Sequence, residues 1–353
     1  THAFLRARLL DIFLNDWDRH RLQWRWARLP GNPLLQPIPE DRDQVFSEFE
    51  GLALMLARLN GAQMVQFSEG FPPLYRITQN GWDMDRFLLT NIEKSKCMEI
   101  ANYVQSRLSY EVIVEALQRM PIEYYRLRAL EIGTKLKKRR NSLIELADKY
   151  YHYLTEYVDV HGSNSNEKAF VEGFENGDLL VTVSALQADQ TPGEHFFRRR
   201  FREDETREVR VYLHGGNNLV ETRGANQGGI KVRVIGGPGD NTADDSQGFG
   251  VKFYDSEGDN RVIGNGGTSV NSKSFTMPPR PQPKNDTPWV PVRDWGGRKG
   301  PIIVAGYHSD PGVIVGGGIG ITRYGFRRYP WAQRHTIRGA LAIGALKPFI
   351  EYG

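Results

Sequence analysis

Three Gly-Asp/Asn-Asn triplets constrain the fold more than any other feature of the chain. Gly216-Asn217-Asn218, Gly239-Asp240-Asn241 and Gly258-Asp259-Asn260 recur at spacings of 23 and 19 residues. Each follows a short alternating run: Val209-Arg210-Val211-Tyr212-Leu213, Val232-Arg233-Val234-Ile235 and Val251-Lys252-Phe253-Tyr254. A strand that ends in a tight polar turn cannot bury its apolar face alone, so units repeated at about 20 residues must pack on their neighbours. The expectation is a β-solenoid or a meander within residues 161–277. Just upstream, Lys168–Phe174 and Leu179–Ala185 flank Asn176-Gly177-Asp178, which reads as a hairpin. The polar stretch His161-Gly162-Ser163-Asn164-Ser165-Asn166 marks the start of this β-rich region.

The chain before that break reads as mostly helical. Phe4–Leu14, Met84–Leu89 and Tyr110–Arg119 carry apolar residues at helical spacing, as does a long segment from Ile122 to Val158. Pro121 suits a helix start, and Gly133 is the expected interruption of the long segment. Lys135, Lys137, Lys138, Arg139 and Arg140 read as a solvated helix face rather than a phosphate-binding patch. The net charge of +4 is too mild to argue for nucleic-acid binding. Cys97 is the single cysteine, which excludes an intrachain disulfide framework and a multi-cysteine zinc site. No run approaches the roughly 18 apolar residues of a membrane-spanning helix. The chain opens on Thr1 with no methionine and is expected to be part of a longer protein.

The densest cluster of chemistry-bearing residues is Asn15-Asp16-Trp17-Asp18-Arg19-His20-Arg21-Leu22-Gln23-Trp24-Arg25-Trp26. It lies between an apolar helix and a strand over Gln23–Leu29. Pro30-Gly31-Asn32-Pro33 is a turn, Leu34–Ile38 the returning strand, and Asp41-Arg42-Asp43 follows directly. A second helix is expected over Gln44–Leu59. A bland reading makes the charges helix caps and surface ion pairs around packed tryptophans. The alternative is a catalytic loop: phosphoryl transfer needs carboxylates that hold divalent cations and one that positions the nucleophile. Magnesium or manganese prefers the oxygen ligands that Asp18, Asp41, Asp43 and the Gln23 amide supply.

Asp18-Arg19-His20-x-x-Gln23 resembles the catalytic loop of atypical kinases of the phosphoinositide-kinase, HipA and CotH types. The resemblance covers about residues 3–60. It implies that Asp18 orients or deprotonates the attacking hydroxyl, with Arg19 and His20 fixing the loop. It also implies that Gln23 stands where the family has a metal-binding asparagine, and that Asp41 or Asp43 is the second metal-binding aspartate after the hairpin, with Asp16 a further candidate. Magnesium or manganese with ATP is the implied cofactor set, and a phosphorylated or hydroxyl-bearing molecule the implied substrate. The nucleotide lid and the ATP-contacting lysine would precede Thr1, so this chain alone is not expected to phosphorylate. Gly236-Gly237-Pro238-Gly239-Asp240 is similar to RTX-type calcium turns, but plain turns explain Asp240 and Asp259 better, and calcium is not expected there.

The C-terminal stretch poses a different constraint. Gly312–Thr322 and His335–Ala345 are about ten residues each and alternate, with Ile337, Leu341 and Ile343 opposed to Arg338, Ala340 and Ala342. Tyr324, Phe326, Tyr329 and Trp331 gather around the turn between them, and Lys347–Gly353 looks like a third strand. Strands of this length with aromatic ends fit an outer-membrane barrel or a soluble antiparallel sheet. The pattern, with Gly316-Gly317-Gly318 before Thr322-Arg323-Tyr324-Gly325-Phe326, resembles the first strands of BamA-type surface-antigen barrels.

The expected organisation is an α+β multidomain chain. It has a kinase-like C-lobe (1–60), a helical extension (61–160), a β-rich repeat module (161–277), a linker (278–301) and the start of an antiparallel transmembrane barrel (302–353). The expected setting is the outer membrane of a Gram-negative bacterium, with outer-membrane lipids and barrel-assembly machinery as partners and no nucleic acid. The alternative is a non-enzymatic assembly, transport or surface-antigen protein, to which resemblance would add an upstream metallophosphoesterase.

Overall fold

A computed structural model describes residues 1–49, 51, 64–224, 228–264, 267–276, 293–310 and 312–353. They are mixed α and β, with seven α-helices and several sheets, divided into compact units Thr1–Ser274 and Phe275–Gly353.

The first unit opens on helices. The helix α1 (His2–Leu14) buries Phe4, Leu5, Leu9, Ile12 and Phe13 and stops at Asn15, whose φ of 65° is the left-handed conformation that asparagine tolerates. Strands β1 (Trp24–Arg28) and β2 (Leu35–Pro39) form the antiparallel hairpin. Phe4 packs on Trp24 with ring centroids 4.7 Å apart, fixing the hairpin to α1. Residues 44–49 are irregular rather than the start of a helix; the rest of the helix expected to Leu59 lies outside the described residues, apart from Gly51 in a bend. Then come α2 (Leu74–Ile77), α3 (Trp82–Leu88), α4 (Lys94–Arg107), α5 (Tyr110–Gln118), α6 (Ile122–Asn141) and α7 (Leu143–Thr155).

Two helical expectations need correction. The long segment breaks at Ser142 instead of Gly133, and its end, from Tyr157, is strand. Gly133 stays inside α6, where a Cβ would lie 3.1 Å from Leu117 Cδ1. Arg139, expected on a solvated face, is fully buried. Its guanidinium donates to the carbonyls of Ile12 and Phe13 at 2.6 and 2.7 Å and to Gly70 at 2.6 Å, satisfying orphan carbonyls at the end of α1. Burial pushes its pKa down to about 9.

The β-rich region is a solenoid. One parallel sheet holds β3 (Tyr157–His161), β7 (Glu208–Tyr212), β9 (Lys231–Ile235), β11 (Lys252–Tyr254) and β13 (Ser269–Asn271). The other holds β4 (Glu167–Gly173), β8 (Leu219–Gly224), β10 (Thr242–Gln247) and β12 (Arg261–Ile263). An antiparallel pair, β5 (Leu179–Leu186) and β6 (Pro192–Phe201), extends it beyond β4. A meander would pair neighbours antiparallel; here each coil instead gives one strand to each sheet. Val160, Val211, Val234 and Phe253 from one sheet and Val171, Val220 and Ala243 from the other share one core.

The triplets stack at one corner of these coils. Asn218 N donates to Asn241 Oδ1 at 3.0 Å and Asn241 N to Asn260 Oδ1 at 3.0 Å. A second ladder runs beside it, from Asp259 N to Asp240 Oδ1 and from Asp240 N to Asn217 Oδ1, at 2.8 and 2.9 Å. The glycines are forced. Gly239 has φ 119°, and a Cβ there would lie 2.3 Å from the Gly216 carbonyl oxygen one coil away. Ser165-Asn166-Glu167 fills the same corner in the first coil, where Asn166 Oδ1 accepts from Asn217 N at 2.8 Å.

The second unit contains an open antiparallel sheet in the order β14 (Gly297–His308), β15 (Gly312–Gly325), β16 (Arg328–Ala342), β17 (Lys347–Tyr352). Gly297–Pro301, assigned to a linker from the sequence, are strand and pair with Ile319–Arg323. Pro278–Val292 of the expected linker lie outside the described residues.

Candidate functional site

The Asp-Arg-His loop is held from below by buried charge. Asp11, from α1, is fully buried and meets three guanidiniums: Arg8 at 3.5 Å, Arg19 at 3.2 Å and Arg42 at 2.9 Å. Arg19 also pairs with Asp16 and donates to the carbonyls of Gln23 and Glu40, so it ties the loop to both ends of the hairpin. Arg42 sits between Asp41 and Asp43; drawn in toward Asp11, it leaves both aspartates exposed. Asp11 and Arg42 were not among the site residues read from the sequence. The i,i+3 Arg8/Asp11 pair within an apolar helix is the signal that could have flagged the network.

Asp18 is half-buried, and Asn80 Nδ2 donates to its Oδ1 at 2.8 Å. Asn80 arrives on the turn before α3, which Arg8 fixes through a two-point pair with Asp85 at 2.6 and 2.9 Å. That turn presses on the loop: a Cβ on Gly81 would lie 2.4 Å from the Arg19 carbonyl oxygen. Burial lifts the Asp18 carboxyl above the usual range; His20 and Asn80 pull it back, and the charges of Asp43 and Asp41 push it further up. Asp18, Asp41 and Asp43 therefore share one electrostatic neighbourhood.

The remaining predicted residues divide. His20 Nδ1 accepts from Leu22 N at 3.2 Å and starts the short 3₁₀ turn Arg21–Gln23. Gln23 is buried beside the hairpin end, its carbonyl accepting from Glu40 N at 2.9 Å, and its side-chain Oε1 has no hydrogen-bond partner among the described residues. Asp16 is turned inward: it is 1 % exposed, is paired with Arg19, and is lifted by burial to a pKa of about 6. Among the described residues no group of three or more His, Cys, Asp or Glu is placed to hold a metal ion.

The second feature is the C-terminal sheet, whose two faces differ in chemistry. On one face Ile303, Ala305 and Tyr307 of β14 lie opposite Gly317, Val315 and Val313 of β15. The row continues through Ile319↔Ile337 and Val315↔Leu341 to Ile350 and Tyr352 of β17. These large apolar side chains are open: Val315 and Ile319 are 51 %, Ile337 59 % and Ile350 84 % exposed. The other face carries Gly316, Gly318, Gly320 and Thr322 of β15 opposite Ala340, Arg338, Thr336 and Arg334 of β16, together with the half-buried Ile302, Val304 and Ile314. There Arg338 makes a two-point ion pair with Glu351 at 2.8 and 3.0 Å. A Cβ on Gly316 or Gly318 would lie 2.1 Å from a β16 carbonyl oxygen, Gly339 or Ile337, which explains these two glycines. No described helix is long and apolar enough to cross a membrane.

Comparison with protein-family models, with curated proteins and with solved structures found no match to this chain.

Proposed function

We propose that residues 297–352 are strands of a transmembrane β-barrel of a Gram-negative outer membrane, of the BamA surface-antigen type, with the N-terminal domain on the periplasmic side. The observation that carries this reading is the division of the sheet into a continuous exposed apolar face and a less apolar face, where Ile302, Val304 and Ile314 lie among glycine, threonine and the Arg338–Glu351 pair. A sheet in water turns its apolar face inward; one in lipid turns it outward and keeps polar residues in the lumen. From Val313 to Ile321 the apolar row of β15 covers eight residue steps, about 27 Å at roughly 3.4 Å per residue. At a tilt of about 40° this spans about 20 Å, close to the roughly 25 Å apolar band of such barrels. The test is dilution of the urea-unfolded chain into lipid vesicles, followed by flotation in alkaline carbonate. Residues 297–352 protected from protease in the floated fraction are expected; a chain that remains soluble and unprotected overturns the reading.

A second reading concerns the Asp18 loop, and the buried Gln23 Oε1, unpartnered among the described residues, favours it. We infer that this region is the C-terminal half of a kinase-like domain for metal-dependent phosphate chemistry. Magnesium uses one or two carboxylates together with substrate phosphates and water, so three converging carboxylates are not required. Gln23 Oε1 with Asp41 or Asp43 would hold the ion, which supplies charge neutralisation on the phosphates when bound. Asp18, its basicity raised by burial and oriented by Asn80, would receive the hydroxyl proton of the acceptor. Asp16 is spent on Arg19 and is left out of the ligand set. Manganese titrated into the chain and followed by electron paramagnetic resonance tests the site. Loss of binding in Asp43→Asn and in Gln23→Leu, with Asp189→Asn unaffected, is expected. Unchanged binding in both would leave the cluster structural and favour a non-enzymatic envelope protein.

A further inference from the structure

The charge on the C-terminal sheet is concentrated at one end. The register brings Gly297–Lys299, Ile321–Arg323 and Gln333–His335 to the same level, next to the hairpin that closes at Gly325↔Arg328. Arg298, Lys299, Arg323, Arg328 and Arg334 are all exposed there, with Tyr324, Phe326, Tyr329 and Trp331 just beyond, on and beside that hairpin. Arg334 lies 5.3 Å from the Trp331 ring centroid. The opposite end, around His308–Gly312 and Ile343–Lys347, carries Lys347 and His308 as its basic side chains among the described residues, with Asp310 as the one acid there. Alternation assigns the cations to faces: Lys299 and Arg323 continue the apolar row of Ile319 and Ile321, whereas Arg298 and Arg334 flank Thr322 on the polar face.

We propose that this end of the sheet binds the headgroups of anionic phospholipids, with Lys299 and Arg323 as the contacting cations. The inference rests on the membrane reading above and adds a partner to it. Two exposed cations end an apolar row that would lie in acyl chains, which is where headgroup phosphates begin. Aromatic residues on the adjoining hairpin suit the interface, where an apolar ring and a polar edge are both satisfied. Basic side chains near an anionic surface each add about 1 kcal/mol, or about fivefold, to the affinity. The apolar row directly beside the cations argues for a lipid surface over a nucleic acid, whose phosphates come without an acyl layer.

The experiment is flotation of the chain with phosphatidylcholine vesicles and with vesicles of phosphatidylcholine and phosphatidylglycerol. Binding to the anionic vesicles at least tenfold tighter, and weakened by salt, is expected. Lys299→Gln with Arg323→Gln is expected to lose about 25-fold of that binding. Arg298→Gln with Arg334→Gln, equal in charge but on the other face, is expected to lose less than about fivefold. Arg323→Lys keeps the charge and should keep the binding. Equal binding to both vesicle types overturns the headgroup assignment and leaves the membrane reading intact. Failure to bind either type overturns the membrane reading, and this one with it. Binding to a short DNA duplex as tight as to the anionic vesicles overturns the assignment to lipid.

Discussion

Thr336 and Ile337 are neighbours in the chain but lie on opposite faces of β16, which makes them a matched pair for testing where the sheet resides. Ile337 is 59 % exposed and lies opposite Ile319; Thr336 lies opposite Gly320. Ile319 is four residues from Arg323 on β15, about 13 Å along the strand and about 10 Å along the membrane normal at a tilt of roughly 40°. Ile337→Arg therefore places a cation near the middle of the apolar band, where the cost is about 2–4 kcal/mol. That corresponds to a loss of roughly 30- to 700-fold in the membrane-folded population, at about 1.4 kcal/mol per tenfold. Thr336→Arg points into a face that already carries Arg334 and Arg338 and should cost less than about 1 kcal/mol. In water an exposed isoleucine replaced by arginine changes stability by no more than about 0.5 kcal/mol. Urea titration of the protease-protected fraction in vesicles measures the difference. If both variants stay within about 0.5 kcal/mol of the wild type, the apolar face does not meet lipid.

The solenoid and the buried loop give two further expectations. Asn241 Oδ1 accepts from Asn218, and its Nδ2 donates to Gly237, Gly239 and Asp255. Asn241→Ala orphans several buried groups and should cost about 3–5 kcal/mol, against about 1 kcal/mol for the less buried Asn260→Ala; equal urea midpoints for the two would contradict the ladder's role. Asp16 has a folded pKa of about 6 against a reference of 3.8. Between those values the native state holds the extra proton, so stability rises as pH falls from about 7 to 4, by up to about 3 kcal/mol. Asp16→Asn should flatten this slope; an unchanged pH profile in the variant would show that Asp16 does not carry it.

The sequence exposed some of these features and concealed others for identifiable reasons. The triplets were legible because each coil repeats one steric demand, a glycine with no room for a Cβ. The parallel pairing was not, because alternation looks the same in a meander and in a solenoid. The fourth triplet position was hidden because Glu167 replaces the asparagine and donates its backbone N to Asn218 Oδ1. Arg139 was misread because a basic run has no sign of its own for the one member that turns inward to cap a helix. At the loop, Asp18 with Asp41 and Asp43 could be read from local order. Asn80 could not, because it approaches Asp18 from 62 residues away through a turn set by the Arg8–Asp85 pair. Asp16 and Asp18 look equivalent in sequence; only burial distinguishes the one spent on Arg19 from the half-buried one held by Asn80.

The most direct measurement of the membrane assignment is a nitroxide scan along β15, one position at a time from Val313 to Thr322, in a Cys97→Ser background in vesicles. Accessibility to oxygen and to a water-soluble nickel chelate would be read at each site. Residence in a bilayer predicts a two-residue period, with positions 313, 315, 317, 319 and 321 favouring oxygen and the intervening positions favouring the chelate. Uniform access to the chelate at all ten positions would contradict it and make the sheet a water-exposed one.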